Sequence, residues 1–175
     1  MRLALGLTVH TGWAACVLAG GSLRDPHLEA REHVELVADD EARFVFHRAS
    51  EMKRADAAPF VARARREAID RAAAVFRRLV EGRDVGACAI VAKPGAMPEL
   101  DVVLASHPRI HTAEGIFYRD VLSDAAKAAG VRAHVVSPSE LDAKDRRLAD
   151  VGRAVGKPWN QDWKLAALAA WRVLA

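Results

Sequence analysis

The amino-acid sequence predicts an α/β fold built on five strands. Three observations predict it. Short alternating or apolar runs, bounded by Gly, Pro and polar turn residues, mark strands near the start of the chain. From Pro59 to Glu81, apolar residues recur at three-and-four spacing, the mark of an amphipathic helix. Beyond that helix, strand-like apolar runs alternate with helical patterns. At 175 residues, 51% of them hydrophobic, the chain is the size of one domain, taken as 1–175, and can bury a core without staples.

The elements follow in order. Arg2 to Val9 reads as the first strand and Trp13 to Ala19 as the second, joined by a short turn that suits a hairpin. "GSLRDPHLEA" is polar and rich in breakers, a loop. "REHVELVAD" alternates and reads as a third strand, antiparallel to the second. "ARFVFHRA" is a short apolar piece. Pro59 suits a first helical position and Gly82 a helix end. "DVGACAIVAK" is a continuous apolar run, as in a strand buried on both faces. Glu99 to Ser106 forms a short helix, and Pro108 starts another that reaches Gly130. "VRAHVVSP" is the fifth strand. "SELDAKDRRLADVGRAVG" opens on a capping pattern, Ser139 ahead of Asp142, and reads as a helix. After the break at Gly156-Lys157-Pro158, "NQDWKLAALAAWRVLA" closes the chain as a helix.

Bulk composition narrows the function. The 26 Lys and Arg against 23 Asp and Glu give a net charge of +3, which permits a polyanionic partner without demanding one. Cys16 and Cys88 stand in apolar surroundings and read as buried reduced thiols. The N-terminus lacks a cleavage pattern and reads as a strand; no uncharged apolar stretch reaches spanning length, so a cytoplasmic protein away from membranes is expected. There is no phosphate-binding glycine loop, no Gly-x-Ser-x-Gly nucleophile elbow and no Cys-x-x-Cys pair.

Three stretches resemble the ribonuclease H-like superfamily, in its RuvC-type, Holliday-junction-resolvase-like branch. "VHTGWAACVLAGG" resembles the first hairpin of that branch. "AAGVRAHVVSPSEL" resembles its last strand and the proline-marked loop after it. "VGRAVGKPWNQDWKLAALAAW" resembles its terminal region, where an acid opens an alanine-rich helix. The resemblance spans most of the chain. It implies a mixed five-stranded sheet, an antiparallel meander plus two parallel strands, flanked by helices. It also implies two divalent metals held by carboxylates, hard ligands for Mg²⁺ that stabilise attacking and leaving oxygens. The chain departs from that set. The position at the end of the first strand carries His10, and the end of the fourth carries Lys93 and Pro94. Only Asp162 falls where the family has its terminal acid.

The polar groups that remain define the expected site. Ligands of such sheets bind where C-terminal strand ends and helix starts gather. His10, the "SHPRIHTAEG" stretch and Asp162 would meet there. His111 and Glu114 are three apart and share a helical face, whereas Pro108 pushes His107 out of helical geometry into the cap. The expected metal ligands are His10, His111, Glu114 and Asp162, with Mn²⁺ or Zn²⁺ favoured over Mg²⁺. Asp162, Glu114 and His10 are the expected catalytic groups. The plainer alternative is a helix start with a solvated or cap-bonded Glu114 and a His111 packed on the sheet edge. Asp162 likewise could simply complement its helix dipole. His47, His33 and His134 read as packing residues. Arg63, Arg66 and Arg77 on the outer face of the long helix are the candidate phosphate contacts. Trp13, Trp159, Trp163 and Trp171 read as core, and the last helix as a possible face for a second copy. Two functions stay open: a nuclease-related, nucleic-acid-binding domain with an altered or vestigial metal site, or a non-catalytic protein-interaction or oligomeric module that keeps the fold.

Overall fold

The computed structural model describes all 175 residues. Five strands form one sheet: β1 (Leu3–His10), β2 (Trp13–Gly21), β3 (Pro26–Glu35), β4 (Val85–Val91) and β5 (Arg132–Val136). Their spatial order is β3-β2-β1-β4-β5. β1, β2 and β3 make an antiparallel meander, while β4 and β5 join parallel to β1. The helices are α1 (Val45–Ser50), α2 (Arg54–Val80), α3 (Leu100–Leu104), α4 (His107–Ala128), α5 (Arg147–Val155) and α6 (Gln161–Leu174). No helix is long and apolar enough to cross a membrane.

The alternation of β1 divides the molecule into layers. Leu3, Leu5 and Leu7 point toward α2 and α4, where they meet Phe76, Phe117 and Leu122. Ala4 points to the opposite face, where Ala15, Val17 and Ala19 of β2 meet α6 and α5 through Ala166, Ala170, Leu148 and Val151. The second layer is thin because its side chains are small. At Gly6 it has no side chain at all: a Cβ there would stand 1.8 Å from the Ala166 carbonyl oxygen. That contact seats α6 directly on the backbone of β1.

Several sequence expectations need correction. β3 begins at Pro26, inside the expected loop, because an edge strand can start on a residue without an N–H. α2 begins at Arg54, so Pro59 lies inside the helix. "SELDAKDRRLADVGRAVG" is not one helix. Asp142 and Asp145 accept hydrogen bonds from the backbone N–H of Lys144 and Arg147, both at 2.9 Å, and these local turns hold off the helix until Arg147. Trp163 and Trp171 are buried, but Trp13 and Trp159 are only half-buried, and His134 is exposed on edge strand β5. The expected face for a second copy on the last helix is spent inside the protomer: Trp163 and every residue from Leu165 to Trp171 are buried against the sheet and α5.

Two outcomes test this packing. Gly6→Ala should destabilise the protein by about 3 kcal/mol or more, read from urea unfolding, because backbone rather than a flexible side chain must move. Burial pushes the Cys88 thiol up to about 12 and Cys16 well above its ordinary value. Neither thiol should react with a disulfide reagent at neutral pH in the native protein, and both should react once it is unfolded.

Candidate functional site

The parallel strands β1, β4 and β5 end along one edge, since Thr8 pairs with Val91 and Val91 with Val136. α6 starts there. Asn160 caps it, accepting from the N–H groups of Asp162 (3.1 Å) and Trp163 (3.4 Å). The seat on Gly6 then brings the first turn of α6 over the end of β1. Thr8 donates its hydroxyl to the Asp162 carbonyl oxygen at 2.9 Å. His10 Nε2 lies 3.0 Å from Asp162 Oδ1. The His10 ring stacks on Trp13 at 4.0 Å, Trp13 stacks on His33 at 4.5 Å, and His33 Nε2 lies 2.8 Å from Glu35. Both faces of Trp13 are therefore covered by histidine. Beside this pair lies a cleft of about 550 Å³, lined by Thr8, Val91, Lys93, His111, Pro138 and Leu165 among others. No carboxylate lines it.

Glu114 sits elsewhere. It is 3% exposed, on the inner face of α4 against the start of α1. Its Oε1 accepts from the backbone N–H of Phe46 at 2.8 Å and of His47 at 3.4 Å. It also lies 3.3 Å from His47 Nδ1. α1 has no side-chain cap of its own, so Glu114 satisfies its orphan donors from another helix. Burial raises the Glu114 carboxyl above its ordinary range, against the pull of those hydrogen bonds. Oε2 is buried without a partner.

Above Glu114 three imidazoles converge. His107 and His111 stand one turn apart on α4, with Nε2 atoms 2.9 Å from each other. The His47 ring lies 5.1 Å from His107 and 4.8 Å from His111, centroid to centroid. Ligating atoms of all three lie within 4.8 Å of one another.

The structure thus divides the four expected ligands. His10 and Asp162 meet. His111 joins His107 and His47 instead, and Glu114 is drawn beneath His47, out of the sheet edge. His107, expected in the cap, begins the helix and stays on the face of His111. His47, expected as a packing residue, is half-buried and belongs to the cluster. Sequence reasoning missed it because it comes from α1, far along the chain; the signal available was only its position in the turn of α1 whose N–H groups need an acceptor. Arg63, Arg66 and Arg77 are exposed on α2 and form no ion pair, whereas Arg65 pairs with Asp124 and Arg78 with Glu32.

No family model matches the sequence, and no curated protein sequence matches it. Solved structures do match the fold. Thermus thermophilus RuvC in complex with a Holliday junction substrate superposes with a TM-score of 0.59 at 13% identity, over 98% of this chain and 91% of that one. Another Thermus thermophilus RuvC structure gives 0.52 at 13% identity, over 97% and 91%. The chain has the RuvC-type, ribonuclease H-like fold. The residues at its strand ends do not fit the two-Mg²⁺ centre that the sequence resemblance implies. Hard divalent ions need several carboxylate oxygens, yet no carboxylate lines the cleft, and Asp162 beside it has Oδ1 already engaged by His10.

Replacing Glu114 tests its capping role. Glu114→Ala should cost about 2–4 kcal/mol in urea unfolding, since two donors of α1 lose their acceptor and a cavity remains. Glu114→Gln, which keeps one acceptor oxygen, should cost less.

Proposed function

We propose that this chain is a nuclease-related domain that binds structured nucleic acid without the two-Mg²⁺ carboxylate chemistry of its fold. One observation carries the reading: the RuvC-type fold is kept over nearly the whole chain while its strand ends carry Thr8, His10 and Lys93 in place of a carboxylate set. The neighbour seen with a Holliday junction supports a branched duplex as the substrate class. The exposed, unpaired arginines of α2 supply phosphate contacts. Because α2 leads into the N-terminal end of β4, its own start lies toward the C-terminal edge. Arg63 and Arg66 are therefore nearer the cleft, and Arg77 is about 21 Å farther along the helix from Arg63. Lys93 adds a cation at the rim of the cleft.

Fluorescence anisotropy with a four-way DNA junction tests this. Binding should weaken with salt, each phosphate neutralised adding about 0.9 to the log–log slope. The triple variant Arg63→Ala, Arg66→Ala, Arg77→Ala should lower that slope by about 2–3 and weaken binding accordingly. No cleavage should appear in Mg²⁺. Failure to bind the junction would overturn the reading in favour of the interaction module, and Mg²⁺-dependent cleavage would overturn the loss of the chemistry.

A further inference from the structure

We propose that His47, His107 and His111 form a binding site for a transition-metal ion of the Zn²⁺ class, with Glu114 as the outer partner that orients His47. The site is separate from the His10–Asp162 pair and does not depend on nucleic-acid binding.

Geometry comes first. Three imidazoles from two helices place ligating atoms within 4.8 Å of one another. The Nε2 atoms of His107 and His111 are 2.9 Å apart. Two nitrogens bound at about 2.0–2.1 Å to one tetrahedral ion stand about 3.3 Å apart, so a shift of a few tenths of an ångström converts this pair into a chelate. The spacing of one helical turn is what allows it.

The second observation is Glu114. A metal-bound histidine characteristically donates its other ring N–H to a carboxylate, which sets the tautomer and the ring orientation. His47 makes that contact through Nδ1 at 3.3 Å, which leaves Nε2 as the nitrogen free to bind the ion. Glu114 is itself held by two backbone N–H groups, so it cannot swing away. Its Oε2 is buried with no partner. A cation bound by the imidazoles above would offset that charge.

The donor set selects the ion. Three neutral nitrogens and no inner carboxylate disfavour Mg²⁺ and Ca²⁺ and suit Zn²⁺, Co²⁺, Ni²⁺ or Cu²⁺. Three protein ligands leave the fourth tetrahedral position open. His107 and His111 are exposed, and His111 lines the cleft at the strand ends, so that position is reached from the cleft.

The test is titration of tag-free protein with Zn²⁺ against a chromogenic chelator, with Co²⁺ absorption as a second readout of the nitrogen ligands. His107→Ala and His111→Ala alter exposed side chains and keep the fold; His10→Ala and Asp162→Asn serve as controls. The proposal expects one Zn²⁺ per chain, at least tenfold weaker binding in each α4 histidine variant, and unchanged binding in both controls. Glu114→Gln should weaken binding about 10–100-fold while Zn²⁺ still binds. Binding weaker than about 100 μM in the parent protein, equal binding in the histidine variants, or a loss in His10→Ala would each overturn it.

Discussion

The arrangement of the whole molecule depends on one close approach, the seating of α6 on β1 at Gly6. Sheet and helix normally keep a layer of side chains between them. Here the carbonyl of Ala166 occupies the space a Cβ would need, and Ala4, Ala15, Ala166 and Ala170 keep the neighbourhood equally thin. The alanine-rich helix is therefore a consequence of geometry rather than of propensity alone. Larger residues on that face would lift α6 off the sheet. Trp163 and Trp171 lie at its two ends, where there is room, and Trp171 donates its indole N–H to the Gly20 carbonyl at 2.9 Å.

That seating sets the chemistry of the sheet edge. A helix held against Gly6 delivers its first turn to Thr8 and His10, two and four residues further along β1 on the same face. The same fold can thus present quite different sites according to what those positions carry. With carboxylates on β1 and β4, the edge would concentrate negative charge and call for cations. With Thr8, His10 and Lys93, it presents one carboxylate hydrogen-bonded to an imidazole, beside a cleft rimmed by a lysine, which is not the carboxylate set that Mg²⁺ needs.

Much of this was legible in the sequence. The meander, the two later strands and the long helices follow from period and punctuation. Local side-chain chemistry was harder to read. Asp142 and Asp145 spend their carboxylates on nearby backbone, which cuts an expected helix in half. Glu114 shares a helical face with His111 in the sequence, yet a helical face is wide, and packing against α1 turns the carboxylate inward. His47 was illegible as a ligand because its neighbours in space come from another helix. Periodicity reports which side of an element faces the core; it does not report which two elements meet.

Glu114 shows why fold and site cannot be separated here. α1 has six residues, too few to hold a helix alone, and its first N–H groups have no local acceptor. The carboxylate that completes the helix reaches it from α4. In doing so it fixes the Nδ1 side of His47 and points the ring at the two histidines one and two turns earlier on α4. A neutral replacement of similar shape could preserve the helix but not the charge beneath the ring. Capping alone would be satisfied by one oxygen; the second, buried and unpaired, is the feature that capping leaves unexplained. In the proposed site the two oxygens divide the work: one orders α1, and the charge they share would offset an ion held by the three imidazoles above.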